Sequence, residues 1–414
     1  MSEGNWKGRF FSIWVGQQFS LFGSAIAQFA IIWWLTKETG SATVLATASL
    51  VAMLPGVILG PFAGTLVDRW NRKKVMIVAD GVIALFSLVL ALLFWSGNVR
   101  IWQIFLVKVI RGLGGAFHWP AFSASTSLMV PKEHLSRVAG LNQAAHGAMN
   151  IVTPPLAALL LSLAPIHLIL GIDVVTAIFA ILPLLFFPIP QPQGAAQDEP
   201  YFSQLHQGLR YVWAWKGALI LSLGATVLNA LLNPAFSLLP LLVTKHFGKG
   251  AMELGLLESA FGFGIIAGGL FLSLWGGFRR RIHTALFGMI GMGLGVGALG
   301  ILPPPWFFGA ILAMGFTGFM NPITNGPLMA ILQAAVGPEI QGRVFSLLSS
   351  LTGAASPVGL TLAGPLADLF GVQVWFISGG LGLILMGFSG FFCPALVRIE
   401  EGPPSSSPAS PEKR

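Results

Sequence analysis

Twelve apolar runs follow one another along this chain, at residues 10–35, 43–68, 75–96, 99–127, 138–163, 166–188, 217–243, 253–276, 283–302, 305–332, 343–366 and 373–396. A helix needs roughly 20 apolar residues to cross the hydrocarbon core of a bilayer, so each run is long enough for one crossing. The runs are continuous, unlike the roughly ten-residue alternating strands of membrane barrels. With no water in the bilayer core, a spanning segment must satisfy its own backbone polar groups, which a helix does. An all-α integral membrane protein with twelve transmembrane helices is therefore expected.

Charge supports this reading and orients it. Of 414 residues, 55% are hydrophobic and 9% charged, against about 25% charged in a soluble domain. The net charge of +8 reads as topology rather than as a nucleic-acid footprint, because the basic residues lie mostly in short loops. With both termini placed in the cytoplasm, Lys37, Arg100, Lys245 and Lys249 fall on the opposite side and Lys108 and Arg111 fall inside the fourth run. The other 17 of the 23 basic residues are cytoplasmic. That asymmetry predicts a multi-pass protein of the cell membrane with both ends inside. The single cysteine, Cys393, excludes an internal disulfide and a cysteine-based metal cluster. The first run is longer than the roughly 7–15 residues of a signal-peptide core and is expected to be kept as a span.

The middle of the chain breaks the rhythm. Residues 189–200 are polar and proline-rich, as a linker should be. After them Phe202, Leu205, Leu209, Val212 and Trp213 recur at helical spacing, which predicts an amphipathic helix on the cytoplasmic surface. The flanking halves look like copies. Gly60 stands 12 residues before Arg72, and Gly268 stands 12 before Arg280. Pro131…Arg137-Val138 follows the fourth run, and Pro338…Arg343-Val344 follows the tenth. The organisation expected is a six-helix bundle over 1–188, a cytoplasmic linker with its helix over 189–216, a second six-helix bundle over 217–398, and a disordered cytoplasmic tail over 399–414.

Between the second and third runs stands Gly64-Thr65-Leu66-Val67-Asp68-Arg69-Trp70-Asn71-Arg72-Lys73-Lys74. Glycine, three residues, Asp-Arg, two residues and a basic triplet in this place resemble the signature loop of the major facilitator superfamily. Beside it stand Asn5-Trp6-Lys7…Phe10…Ile13-Trp14…Gly16-Gln17, Thr39-Gly40-Ser41-Ala42, Ala116-Phe117-His118…Pro120-Ala121, Ile301-Leu302-Pro303-Pro304 and Gly342-Arg343-Val344-Phe345-Ser346-Leu347. Together these resemble its macrolide-efflux branch. The resemblance implies a twelve-helix exporter similar to drug:proton antiporters, and a gating role for Gly64, Asp68, Arg69, Arg72 and Lys73. The bland reading of those bases is topology alone. The second copy of the loop keeps Arg279, Arg280 and Arg281 but has Leu272 and Gly276 where Gly64 and Asp68 would be.

Charges inside spans are the remaining signal, since each costs at least about 2.5 kcal/mol at the bilayer centre. Arg111, among Gly112, Gly114 and Gly115, resembles the buried arginine that the family associates with proton coupling. Lys108 lies three residues earlier on the same helix face. Two adjacent cations would repel a cationic substrate unless carboxylates neutralise them. A structural charge network is the competing reading for both. Asp80, near the cytoplasmic end of the third run, is expected to pair with the signature-loop bases. Asp173 and Glu258 are the candidates for a protonatable carboxylate, each equally readable as a cation's partner or a rim residue. His118 and His146 lie within the fourth and fifth runs and either shuttle protons or pack as hydrogen-bonded core residues.

Pro154, Pro155 and Pro357 are candidates for bending helices during gating. Around Pro154 and Pro155 the family's antiporter signature is glycine-rich, whereas this chain has Thr153 and alanines. Gln17, Gln28, Asn142, Asn150, Asn229, Asn233, Asn321 and Asn325 are scattered over both halves and suit a large cavity with few polar contacts, or interhelical hydrogen bonds. Neither a nucleotide-binding nor a hydrolase motif occurs, so an enzyme is not expected, and no cofactor or metal is implied. The expected partners are a small amphipathic molecule, protons and the bilayer, with the chain acting as a monomer. Export of a macrolide-like drug leads. A siderophore exporter or lysolipid flippase of the same fold is the alternative, and a non-transporting receptor or scaffold is the alternative of another class.

Overall fold

A computed structural model describes residues 6–189, 213, 215–336 and 338–401. The surface helix expected over 202–213 lies outside the described residues except for Trp213, as do linker positions 190–200 and positions 402–414. Among the described residues every regular element is helical. The helices fall into two compact units, residues 1–196 with 249–259, and residues 197–248 with 260–414.

The first unit contains α1 (Trp6–Thr39), α2 (Ala42–Arg69), α3 (Arg72–Trp95), α4 (Ile101–Met129), α5 (Leu135–Leu163) and α6 (Ile166–Phe186). Polar caps set the tight joints between them. The Ser41 hydroxyl accepts from the Val44 amide at 3.3 Å to start α2, and the Asn71 side chain accepts from the Lys74 amide at 3.1 Å to start α3. Each satisfies a backbone donor that the first helical turn would leave open. Only Trp70 and Asn71 separate α2 from α3, so the signature stretch is largely the helical end of α2 and the first turn of α3.

The second unit holds α7 (Lys216–Ser237), most of α8 (Ala251–Trp275), α9 (Arg281–Ile301), α10 (Phe307–Ala335), α11 (Pro338–Ala354), α12 (Ser356–Phe370) and α13 (Gln373–Phe392). Its centre is α9, whose glycines let neighbours pack backbone to backbone. A Cβ on Gly293 would stand 2.6 Å from the Gly380 carbonyl oxygen of α13, and one on Gly288 would stand 2.7 Å from the Thr324 amide of α10. Gly264 and Gly268 of α8 make the same kind of approach to α10, whereas Gly269 faces open space. Glycine also explains the worn second loop. α8 stops at Trp275 because Gly276 and Gly277 take φ of 75° and 83°, left-handed values that favour glycine, while α2 runs on helically through Arg69.

Among the described residues eleven helices, one of them running across the α11–α12 junction, are long and apolar enough to cross a membrane. The helix that falls short is α4, which has the length, at 29 residues, but carries Lys108, Arg111 and His118. Two of the expected runs are less regular than their sequence implies. The run 217–243 ends as a helix at Ser237 and continues through a single turn, Leu239–Leu241, into a π-helical turn, Leu242–His246. The run 343–366 divides at Ala355, with Pro357 at the start of α12. Folded structure continues through Glu401: Ile399 is buried, and the Glu400 carboxylate accepts from the Ile282 amide at 2.9 Å, placing an anion at the positive end of α9.

Candidate functional site

Inside the first unit, polar side chains from four helices meet in two layers. In one layer the Arg111 guanidinium of α4 forms an ion pair with Asp173 of α6 and also donates to the Ser87 hydroxyl of α3. Asp173 is fully buried. Ser24 of α1 donates to its Oδ1 at 2.7 Å, and Ser87 donates to its Oδ2 at 2.6 Å. A buried charge is tolerable only when paired and hydrogen-bonded, and the carboxylate here receives one guanidinium and two hydroxyls.

In the other layer Gln17 of α1, Asp80 of α3 and His118 of α4 close a triangle. The Gln17 amide donates to Asp80 Oδ2 at 2.9 Å. The His118 Nε2 lies 2.8 Å from Gln17 Oε1 and 3.3 Å from Asp80 Oδ1. Because the Gln17 nitrogen serves the carboxylate, its oxygen must accept, and His118 donates from Nε2. All three are buried.

The layers share a register. Gln17 and Ser24, Asp80 and Ser87, and Arg111 and His118 are each seven residues apart on their own helix. Seven residues are two turns, so each pair lies on one helix face with about 10 Å between the layers. α4 runs antiparallel to α1 and α3 in this arrangement, which is why Arg111 joins the later residues of the other two helices. Sequence reasoning singled out Arg111, Asp173, Asp80 and His118 and counted Gln17 among polar cavity residues. It missed Ser24 and Ser87, whose signal is the seven-residue step from Gln17 and Asp80.

Asp80 corrects one expectation. Its partners are Gln17 and His118, not the bases of the loop, because its position on α3 turns it toward α1 and α4. Those bases are used otherwise. Arg72 is buried and donates to the Ala124 carbonyl of α4 at 3.0 Å, and Lys73 donates to the Leu185 carbonyl at the end of α6 at 3.1 Å. Both occupy carbonyls near helix C-termini, where cations are favoured. Arg69 is exposed. The side-chain surroundings of Gly64 and Asp68 lie outside the described residues.

Other candidates stand apart from the layers. Lys108 is 1% exposed, and its Nζ has no hydrogen-bond partner among the described residues. His146 meets the Trp119 ring edge-on at 5.7 Å. Glu258, on the part of α8 that clusters with the first unit, joins neither layer. Pro154 and Pro155 lie inside α5. Lacking an N–H, Pro155 leaves the Ile151 carbonyl without its helical donor, and the Ser259 hydroxyl supplies one at 2.6 Å. Pro357 is flanked by Ser356, whose hydroxyl accepts from the Asn233 amide of α7 at 2.8 Å.

The second unit contains a cavity of about 440 Å³ with a different character. Asn229, Asn321 and Asn325 supply amides, and Met289, Met292 and Met386 supply flexible apolar wall. Among the described residues no charged side chain lines it.

Comparison with known proteins places these features in context. Residues 6–412 match a family described as transmembrane secretion effectors, a branch of the major facilitator superfamily. Macrolide efflux protein A of Streptococcus pyogenes is 36% identical over 399 residues, covering 96% of this chain and 98% of that protein. Multidrug efflux pump Tap of Mycolicibacterium fortuitum is 28% identical over 399 residues, covering 91% and 94%. A crystal structure of a variant of the nucleoside transporter NupG superposes with a TM-score of 0.73 at 15% identity, covering 93% of this chain and 98% of that one, a likeness of fold.

Proposed function

Because this chain belongs to the transmembrane secretion effector family of the major facilitator superfamily, and is thus a membrane transporter rather than an enzyme, we propose that it exports a bulky amphipathic compound of the macrolide class in exchange for inward-moving protons. The observation that carries the reading is the Arg111–Asp173 pair, a charge couple held inside membrane helices by two hydroxyls. An ionisable pair inside membrane helices is a functional device by default.

The Asp173 carboxylate takes up the proton. Protonation removes its charge, releases Arg111 and lets α4 and α6 shift relative to each other. Deprotonation restores the pair. His118 and Asp80, two turns along the same helices α4 and α3, give the proton a second stopping place toward the Arg72 end of the bundle. The uncharged, methionine- and asparagine-lined cavity supports an amphipathic substrate, since methionine adapts to irregular apolar shapes and amides fix a few polar contacts. Arg111 is already neutralised by Asp173, so the repulsion of a cationic substrate by two adjacent cations reduces to Lys108 alone.

On this reading the chain works by alternating access as a monomer in the cell membrane, with six-helix bundles over 1–188 and 217–398 and with the 189–216 linker and the residues after Glu401 in the cytoplasm. Gly64, Asp68, Arg69, Arg72 and Lys73 latch the cytoplasmic side, and Pro154, Pro155 and Pro357 allow α5 and α12 to bend. Everted vesicles carrying a luminal pH dye test the exchange: addition of a macrolide should alkalinise the lumen. Silence across a panel of macrolides and other amphipathic drugs would overturn proton antiport.

A further inference from the structure

On the first unit, α3 and α4 bound a groove of about 650 Å³. Val75, Val78 and Val82 of α3 form one wall, and Ile110, Leu113 and Phe117 of α4 form the other. Val78 is 61% exposed, so the groove opens outward, and exposed valine and leucine on a membrane helix face acyl chains. One end of the groove changes character abruptly. There Arg69, Asn71 and Lys74 form the rim, and Trp70 packs on Phe117 at 5.8 Å. Among the described residues the lining contains no acidic side chain.

The rim cations are available. Arg72 and Lys73 hold carbonyls of α4 and α6, whereas the side chains of Arg69 and Lys74, both exposed, make no hydrogen bond or ion pair with the described residues. The first turn of α3 carries three cations and no acid, at the end of a helix where positive charge is disfavoured and an anion is favoured. An apolar slot that ends in unpaired donors at a helix start matches one kind of ligand, a molecule with an acyl chain and an anionic head.

We propose that this groove is a binding site for an anionic phospholipid, its phosphate held by Arg69, Asn71 and Lys74 and one acyl chain lying between α3 and α4. Walls from Val75 to Val82 span seven residues of helix, about 10 Å, which covers the upper half of a typical acyl chain. Trp70 sits at the level of the head group, where aromatic rings are favoured. With the proposed orientation, the lipid comes from the inner leaflet. Binding itself does not depend on the transport reading, since the site lies on the outer face of one unit and uses none of the Arg111–Asp173 layer.

Native mass spectrometry of the full chain, released from nanodiscs of phosphatidylcholine doped with phosphatidylglycerol, tests the site. The wild-type protein should retain one phosphatidylglycerol at energies that strip phosphatidylcholine. Surface cations contribute about fivefold each to binding of anionic lipid, so Arg69→Gln with Lys74→Gln should weaken retention roughly 25-fold. Val78→Trp, which fills the groove and leaves both cations in place, should weaken it as well. All three positions are exposed, so folding is not at stake. Equal retention of both lipids, or retention that survives the double substitution, would overturn the proposal. Insensitivity to Val78→Trp would reduce it to surface charge, and displacement by inorganic phosphate would reassign the rim to a free anion; either result also overturns it.

Discussion

His118 of α4 and Asp80 of α3 stand 3.3 Å apart with Gln17 of α1 bridging both. The bridge makes the three side chains interdependent. His118→Ala leaves Gln17 Oε1 and one carboxylate oxygen without a donor, and is expected to cost about 1–3 kcal/mol. Gln17→Leu should cost a similar amount. Because each substitution breaks the same triangle, the double variant should lose less than the sum, read as thermal unfolding in detergent. Strict additivity would show that the triangle is not one network.

Lys108 is the opposite case, a buried amine with no hydrogen-bond partner among the described residues. Lys108→Met keeps the length and removes the unsatisfied polar group, and should stabilise the protein by about 1–3 kcal/mol. Transport measured on the same variant separates its two readings. A more stable protein that no longer exports drug assigns Lys108 to function, and one that exports normally makes it structural.

Pro155 and Ser259 are coupled through the Ile151 carbonyl. Ser259→Ala should cost about 1 kcal/mol in the wild-type background. With Pro155→Ala the helix regains its own donor to that carbonyl, so Ser259→Ala should then be almost neutral. Pro155→Ala alone should reduce export without loss of stability if bending of α5 is part of the cycle. An equal cost of Ser259→Ala in both backgrounds would contradict the coupling.

The two basic loops should differ in importance. Arg72 is buried against the Ala124 carbonyl, whereas Arg280 is exposed beside left-handed Gly276 and Gly277. Arg72→Ala should therefore lower both stability and export, by about 1–3 kcal/mol in the first. Arg280→Ala should change stability by no more than about 0.5 kcal/mol. Equal losses in the two variants would show the loops to be equivalent.

Much of the fold was legible because bilayer thickness imposes a length on every span, and the twelve runs carried that length openly. α4 was legible for the converse reason, since Lys108, Arg111 and His118 are conspicuous in an apolar run. What the runs could not reveal is which faces meet. Arg111 and Asp173 are 62 residues apart, and each was recognisable as an intramembrane charge, but their pairing depends on α6 lying beside α3 and α1. Asp80 shows the same limit. Its nearness in sequence to the loop bases suggested a partner that the direction of its side chain on α3 denies. Ser24 and Ser87 were overlooked because a lone serine in a membrane helix is unremarkable; only the shared seven-residue step to Gln17 and Asp80 marks them. The break at Ala355 and the π-helical turn at Leu242–His246 were hidden because apolar composition does not register how a proline redistributes backbone hydrogen bonds.

Proton exchange through the Arg111–Asp173 pair is tested most directly by drug-evoked proton flux in proteoliposomes that hold wild-type protein or Asp173→Asn at equal density. Asp173→Asn keeps the shape of the side chain and one acceptor oxygen but removes the charge and leaves Arg111 uncompensated, at an expected cost of about 3–5 kcal/mol. With Arg111→Met added, most of that stability should return. The wild type should acidify its interior when drug moves out, and both the single and the double variant should show no drug-evoked flux, although the double variant is well folded. Undiminished flux in the folded double variant would contradict the assignment.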